Sequence, residues 1–297
     1  MSKIPGKGPA PAASDGRDNE RFENSWLQLR RAADQRARSE ALTKRAAQWL
    51  QQRPKPPQLV DLGAGGGNNL LYLAARLPGP QRWLLIDHDA ALLDAARRAA
   101  RNHEASENVL EIKTSALDLG DLAALDFNGV DLVCASALFD LVSADWVEGL
   151  AERCRAAACA VLFTLSVDGH WRFIDARGKA IASTEDAWAS RTFNAHQRRD
   201  KGLGPALGAD APAVLARAFR ARNYQLHTQA SPWRIEAGTA MARSLGVSML
   251  EGRADALAEQ APADAARLAA WMTNRRQALQ HGTLGVEIGH IDLFASP

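Results

Sequence analysis

The chain has 297 residues, of which 46% are hydrophobic and 24% are charged, and these values are ordinary for a folded globular protein. Its formal net charge of +2 gives no overall electrostatic case for binding nucleic acid or a membrane surface. No apolar run approaches the roughly 20 residues that span a bilayer, and no apolar segment typical of a signal peptide stands near the N-terminus. We therefore expect a cytoplasmic protein, monomeric or homodimeric, that binds neither nucleic acid nor membranes.

The three cysteines, Cys134, Cys154 and Cys159, have neither an even count nor the spacing of metal ligands. They fall within predicted core strands and helices. We interpret them as reduced core residues, and we predict no metal site.

The N-terminal part of the chain changes character near residue 20. Residues 1–19 have too few apolar side chains to build a core, so we expect a disordered tail. Residues 22–50 carry apolar side chains at helical spacing and predict one cap helix within 20–55. Its other faces are rich in arginine. These arginines form either a solvated cationic surface or a surface from which Arg30 or Arg38 binds the carboxylate group of a ligand.

The segment from Leu59 to Asn69 joins a short apolar run, a carboxylate and glycines at positions 63, 65 and 67. An Ala/Leu-rich helical pattern follows, so the segment predicts a strand, a tight turn and a helix. Glycine permits positive φ angles and a close approach of a ligand to the backbone. The alternative is a glycine turn that binds nothing. A dinucleotide fingerprint would need glycine or alanine at position 68, where the chain has Asn68.

The spacing Asp61-x-Gly63-x-Gly65-x-Gly67 resembles the first motif of the class I S-adenosylmethionine (SAM) dependent methyltransferases. Acidic residues follow the next two predicted strands at the intervals that this family shows. The resemblance implies SAM as cofactor, S-adenosylhomocysteine as product, and an Asp87 carboxylate that accepts hydrogen bonds from both ribose hydroxyls. The cofactor-binding residues that it implies are Asp61, Gly63, Ala64, Gly65, Gly67, Asp87, His88, Asp118, Leu119 and Ser136.

The alternation of apolar runs and amphipathic helices predicts an α/β fold. The resemblance implies a Rossmann-like doubly wound sheet of seven strands, mostly parallel, with the last strand antiparallel between the fifth and the sixth. The predicted strands cover 59–62, 83–86, 109–114, 130–136, 160–165, 224–228 and 286–293. A small hairpin is predicted from 171–174 and 179–182. We expect a methyltransferase domain over 56–297, with inserted segments at 168–209 and 237–282.

The acceptor site is harder to predict, because transfer of an activated methyl group depends mostly on positioning. A polar cluster ends the helix predicted from Ser183 or Thr184 to about 200, and His196 within it is our candidate general base. Asp140 and His170 are further candidates. Each has a structural alternative: a loop histidine, a helix cap and a turn residue. The candidate acceptor-binding residues are Arg30, Gln197, Arg199, Lys201, Trp233 and Arg234.

Some family signatures are missing after the fourth predicted strand. No Asn/Asp-Pro-Pro-aromatic run and no Pro-Cys pair is found there, so nucleic acid is a poor candidate acceptor. We expect a small or medium-sized molecule, with an anionic group favoured by Arg199, Lys201 and Arg234. Bacterial methyltransferase-like proteins with no assigned acceptor look similar around residues 26–30 and 196–202. Two alternatives remain: a SAM-binding protein that transfers nothing, and a nicotinamide-dependent oxidoreductase, which Asn68 disfavours.

Overall fold

The computed structural model describes residues 29–103, 106–200 and 204–297. The predicted tail, the first part of the predicted cap helix and Lys201 lie outside these ranges, so those predictions stay predictions. Within the described ranges, no helix combines the length and the apolar character needed to cross a membrane.

The described strands form one eight-stranded sheet with the order β3-β2-β1-β4-β5-β8-β6, and β7 pairs with β8 beside this path. The strands are β1 (Gln58–Leu62), β2 (Gln81–Asp87), β3 (Val109–Ala116), β4 (Leu132–Ser136), β5 (Ala160–Ile174), β6 (Gln225–Ala230), β7 (Trp233–Ile235) and β8 (Gly285–Ser296). Strands β1 to β5 are parallel, and β8 runs antiparallel between β5 and β6. The predicted Rossmann-like order is thus confirmed, but the predicted count of seven strands is too low by one.

Helices cover both faces of the sheet. Their described extents are α1 (29–37), α2 (Glu40–Gln51), α3 (Asn68–Ala74), α4 (Ala90–Arg101), α5 (Ala144–Ala156), α6 (Thr184–Gln197), α7 (Ala211–Arg220), α8 (Val247–Gln260) and α9 (Ala265–Gln280). One core surrounds Phe139, Phe163 and Phe219, and a second surrounds Tyr72 and Trp83 on the other face. Burial on both faces explains why the parallel strands read as continuous apolar runs.

The predicted end of the fifth strand is wrong, and the predicted hairpin is present in a short form, with the Ile181 amide donating to the Phe173 carbonyl at 3.0 Å. Strand β5 is 15 residues long and continues to Ile174, because its second half pairs with β8. Its register shifts between Phe163 and Ser166, where Leu165 has a φ of 58°. Of the expected hairpin, an isolated bridge between Ile174 and Ala180 is present. The partner strand lies more than a hundred residues further along the chain, so local sequence could not reveal it.

The predicted cap helix is not continuous. Helix α1 ends at 37, and α2 begins at Glu40 after Ser39, whose hydroxyl oxygen accepts a hydrogen bond from the Leu42 amide at 3.2 Å. Ala33 of α1 packs in a third core with Trp233, whereas the buried residues of α2 pack in the core around Tyr72. The break therefore redirects the chain from one core to another. The apolar stripe concealed it because both helices bury the same kind of face.

The extra strand β7 is not among the predicted strands. Its three residues pair with Ile288, Glu287 and Val286 of β8. Together with the second half of β5, β7 and β8 form a small antiparallel extension of the sheet. Helices α8 and α9 supply buried side chains to the core on this extension.

Candidate functional site

The glycine turn lies at the carboxyl end of β1. Gly63, Gly65 and Gly67 have φ angles of 63°, 51° and 82°, a region that glycine enters without steric cost. The Ala64 amide donates to the Ile86 carbonyl at 3.0 Å, which ties the turn to the end of β2. A Cβ at Gly67 would lie 2.9 Å from the Cβ of Ala96 in α4. Gly67 is thus required by helix packing, and the other two glycines by the backbone path of the turn.

Asp87, the last residue of β2, faces this turn. Its Oδ2 accepts from the Gly65 amide at 2.8 Å, and its Oδ1 accepts from the Asp89 amide at 3.1 Å. The Nδ1 atom of His88 lies 3.1 Å from Oδ1, and the Asp87 side chain is 9% exposed. Asp89 caps α4. The carboxylate therefore orders the turn in addition to any contact with a ligand.

Arg38 reaches the same edge of the sheet from the break between α1 and α2. Its Nη2 donates to the Ser136 hydroxyl at 3.0 Å, and its Nη1 donates to Oδ1 of Asn69. Asn69 in turn donates to Oδ1 of the buried Asp61 at 2.7 Å. The guanidinium also stacks on the Tyr72 ring, 4.9 Å from its centroid. Of the two arginines proposed for a carboxylate ligand, the structure places Arg38 above the ends of β1 and β4.

Sequence analysis missed Asn69. Its amide is buried and links Arg38 to Asp61. The signal that could have revealed it is a polar side chain at a buried position of a Leu-rich helix, because buried amides need hydrogen-bond partners.

The remaining residues that the resemblance implies follow the neighbouring strands. Asp118 is exposed beyond β3 and accepts from the Gly120 amide at 2.8 Å. Leu119 is buried, and its carbonyl accepts from Nε1 of Trp146 at 2.6 Å. The Leu117 amide donates to the Asp87 carbonyl at 2.9 Å, which joins the segments after β2 and β3. Because parallel strands present their carboxyl ends at one edge, these residues share that edge with the glycine turn.

The predicted acceptor residues at the end of α6 contact α8. His196 Nε2 lies 3.0 Å from Oε2 of Glu259, and Arg199 Nη1 lies 3.4 Å from the same oxygen. Gln197 is partly buried as the last residue of α6. The side chains of His196 and Arg199 are therefore held by one carboxylate of α8. The role of all three residues toward an acceptor stays a prediction.

Arg30 and Trp233 meet on the sheet extension. Arg30 forms an ion pair with Asp34 at 3.0 Å, and its guanidinium lies 5.0 Å from the centroid of the Trp233 ring. Both residues are buried. Arg234 points outward, where its Nε lies 2.9 Å from Oε2 of Glu287 and its side chain is 70% exposed. The structure thus brings Arg30 and Trp233 into contact, whereas Arg234 faces away from both.

The two weaker candidates for a general base occupy turns. Asp140 lies in the short helical turn Phe139–Leu141 after β4. The His170 side chain is 85% exposed and lies 3.2 Å from Oδ1 of Asp168. Their catalytic roles stay predictions.

The three cysteines are free and buried, as predicted. Burial raises the pKa of the Cys134 and Cys154 thiols, which disfavours the reactive thiolate. Within the described ranges, no group of three or more His, Cys, Asp and Glu side chains is arranged to hold a metal ion.

Comparisons with known proteins give one family match. Residues 59–158 match the model of a family described as a methyltransferase domain. Among curated proteins, no significant match to the sequence was found.

Three of the solved structures that match this chain come from named organisms. The cyclopropane synthase MmaA2 of Mycobacterium tuberculosis is 10% identical, with 88% of each chain covered and a TM-score of 0.44. The geranyl diphosphate C-methyltransferase of Streptomyces coelicolor A3(2) is 13% identical, with 100% of this chain and 90% of that chain covered and a TM-score of 0.41. For a phosphoethanolamine N-methyltransferase of Haemonchus contortus the values are 12% identity, 87% and 52% coverage, and a TM-score of 0.40.

The family match covers the turn after β1 and the strands as far as the end of α5. The match thus includes the glycine motif at 61–67. In the same segment the structure shows the predicted strand order β3-β2-β1-β4. Residues 59–158, about a third of the chain, therefore match a family described as a methyltransferase domain.

Proposed function

We propose that this protein transfers the methyl group of SAM to a small or medium-sized acceptor. The observation that carries the proposal is the pairing of the Asp87 carboxylate with the glycine turn, through the hydrogen bond from the Gly65 amide at 2.8 Å. This arrangement holds a carboxylate beside a turn whose glycines leave the backbone accessible. The family match of residues 59–158 supports it independently.

Each part of the cofactor has a candidate partner in this arrangement. Asp87 would accept hydrogen bonds from the two ribose hydroxyls, and Asp118 would accept from the adenine amino group. Gly63 and Gly65 would leave room for the methionine portion. Arg38 would bind its carboxylate, because the buried Nε of Arg38 has no hydrogen-bond partner among the described residues and a guanidinium binds carboxylates with charge-assisted hydrogen bonds.

SAM supplies a methyl group that is already activated, so the protein must mainly align the acceptor with it. An oxygen acceptor would also need a base within hydrogen-bond reach. His196 stays our candidate for that base. Glu259, 3.0 Å from its Nε2, would orient the imidazole.

The two alternatives predict different ligand profiles. A SAM-binding protein without transfer activity would bind SAM and S-adenosylhomocysteine but release no methylated product. A nicotinamide-dependent oxidoreductase would instead bind NAD or NADP. Asn68, the first residue of α3, stands where the dinucleotide fingerprint requires glycine or alanine.

The test combines binding and turnover. Thermal shift with SAM, S-adenosylhomocysteine, NAD and NADP should show stabilisation by the first two alone. Incubation with methyl-labelled SAM and a metabolite extract should then label a small molecule in the presence of the wild type and much less with Asp87→Asn. Stabilisation by NAD or NADP, or no labelled product despite SAM binding, would contradict the proposal.

A further inference from the structure

The sheet extension carries a buried polar cluster that the cofactor site does not use. In the register of β8, Ile288 pairs with Trp171 of β5 on one side and with Trp233 of β7 on the other. His290 lies two residues further along β8 and therefore shares this face. Helix α8 packs against it and contributes Arg253.

Arg253 is 9% exposed and lies between two aromatic rings. Its guanidinium carbon is 4.3 Å from the centroid of the Trp171 ring and 4.7 Å from that of Phe193. Its Nε and Nη1 atoms are buried without a hydrogen-bond partner among residues 29–103, 106–200 and 204–297. In the same ranges no carboxylate forms an ion pair with it. Burial lowers the pKa of Arg253 to about 9, so the cation still predominates at neutral pH.

The two other buried arginines among the described residues, and the partly buried Arg275, have acidic or polar partners. Arg30 pairs with Asp34, Arg38 bonds to Asn69 and Ser136, and Arg275 pairs with Asp186 at 2.7 Å. An unpaired buried charge costs several kcal/mol in a folded protein. Within the described ranges Arg253 has no acidic partner that would compensate this cost.

The sheet extension carries further unused polar atoms. Nε1 of Trp171, Nε1 of Trp233, Oγ of Ser166 and Nδ1 of His290 are likewise buried without a hydrogen-bond partner in the described ranges. Most of these atoms can donate a hydrogen bond, and the two indoles can only donate. The unused indole donor of Trp171, whose ring stacks on the Arg253 guanidinium, and the cation itself are together complementary to an oxyanion.

The distal half of β5, which carries Trp171, continues along the chain from the proposed cofactor edge. Ser136, which accepts from Arg38, pairs with Thr164 of β5, and Ser166 lies two residues beyond it. Trp171 also lines a surface cleft of about 650 Å³ between β5 and the first turns of α6, with Ser183, Ser190 and Arg191 among its other walls. A molecule that spans the space between this edge and Arg253 would have its reactive end near the methyl donor.

We propose that Arg253 binds the carboxylate or phosphate group of the methyl acceptor. Naming the ligand as the acceptor rests on the proposed methyl transfer, whereas the anion site itself does not. The guanidinium fork of Arg253 can donate charge-assisted hydrogen bonds to such a group, and its Nε and Nη1 atoms are unused within the described ranges. The rings of Trp171 and Phe193 pack against the guanidinium and fix the orientation of its plane.

The test uses probes that require no knowledge of the acceptor. Binding of 4-fluorobenzoate, 4-fluorophenyl phosphate and the neutral 4-fluorobenzamide is followed by ¹⁹F NMR with the wild type, Arg253→Met, Arg253→Lys and Arg267→Met. Arg267 is the matched control, because it also lies over a tryptophan, 4.4 Å from the centroid of Trp188, but is exposed and paired with Glu185. Thermal unfolding without ligand is measured for each variant.

We expect at least one anionic probe to bind the wild type and Arg267→Met, with a roughly tenfold or larger loss of affinity in Arg253→Met. The benzamide should show no such difference. Arg253→Met should also raise the melting temperature, since it removes an unpaired buried charge. The proposal is overturned if Arg253→Met lowers the melting temperature, or if neither anion binds or both bind the variant as well as the wild type. Failure of SAM to bind the wild type would instead refute the proposed methyl transfer and leave the anion site standing.

Discussion

Arg38 and Ser136 are joined by a hydrogen bond of 3.0 Å between Nη2 and Oγ. Arg38 stands at the break between α1 and α2, and Ser136 is the last residue of β4. This bond therefore holds a cation from the N-terminal helices over the edge of the sheet at which the glycine turn lies.

The first prediction concerns Arg38. Arg38→Met should lower SAM affinity roughly tenfold or more, because the charged donor to the methionine carboxylate is lost. Titration calorimetry with S-adenosylhomocysteine measures the effect. Arg45→Met, at an exposed position of α2, is the control and should bind as the wild type does. Equal affinities in the two variants would exclude Arg38 from the site.

The second prediction concerns Asp87. Asp87→Ala should cost about 2 kcal/mol or more in SAM binding, because two ribose hydroxyls lose a charged acceptor. It should also lower the free energy of unfolding, because the amides of Gly65 and Asp89 lose their acceptor. Asp87→Asn retains an acceptor oxygen and should separate the two effects. Wild-type affinity in both folded variants would refute the ribose assignment.

The third prediction uses two glycines with positive φ angles. Gly65→Val should abolish cofactor binding, both through backbone strain at a φ of 51° and by filling the turn. Gly178→Val carries comparable strain at 74° in an exposed turn with open space around it. Both variants should lose stability, whereas calorimetry should show lost SAM binding for Gly65→Val alone.

The fourth prediction concerns Asp292 of β8, which is buried. Its Oδ2 accepts from the Ser39 amide at 2.8 Å, and its Oδ1 accepts from the Leu165 amide at 2.8 Å and from the Ser231 hydroxyl at 2.6 Å. In Asp292→Asn one oxygen becomes a donor that faces other donors, so the free energy of unfolding should fall by about 3 kcal/mol. Chemical denaturation measures it. Asp255→Asn, at an exposed position of α8, should change it by less than about 0.5 kcal/mol.

The fifth prediction is a pH dependence of stability. Burial, together with the charges of Arg30 and Arg253, lowers the pKa of His290 to about 3 from 6.5. Because this folded pKa lies below the unfolded one, the unfolded state takes up the proton first as the pH falls. The contribution of His290 is complete above about pH 6.5 and is lost progressively toward pH 3.

His290→Gln should make this dependence visible. Between about pH 7.5 and about pH 5 the wild type should lose about 2 kcal/mol more unfolding free energy than the variant. Urea titrations at the two pH values measure the difference. His227→Gln, on β6 and partly exposed, should keep the wild-type slope, and an unchanged slope in His290→Gln would contradict the assignment.

The features predicted well from sequence are those determined by neighbouring residues. The glycine turn and the apolar runs of the parallel strands are set within a dozen residues of chain, and the structure confirms them. Asp87 is a candidate ribose-binding residue from sequence because it follows a strand at a fixed interval from the turn.

The features that sequence missed depend on distant contacts. Strand β5 continues past Leu165 because β8 pairs with it, and the break at Ser39 is stabilised by Asp292. Arg253 lies in an ordinary-looking helix, and its burial between Trp171 and Phe193 appears only once α6, α8 and β5 are assembled. No local pattern encodes such a site, because its three elements are separated by long stretches of chain.

The length of β5 has an evolutionary consequence. One continuous strand serves the parallel sheet up to Thr164 and then supports the core beneath α8 and α9. If Arg253 binds the acceptor as proposed, substitutions on those helices or on the distal half of the strand would alter which molecule is recognised without moving the backbone beside Ser136. Selection could therefore diversify the acceptor while the machinery for the methyl donor is inherited intact.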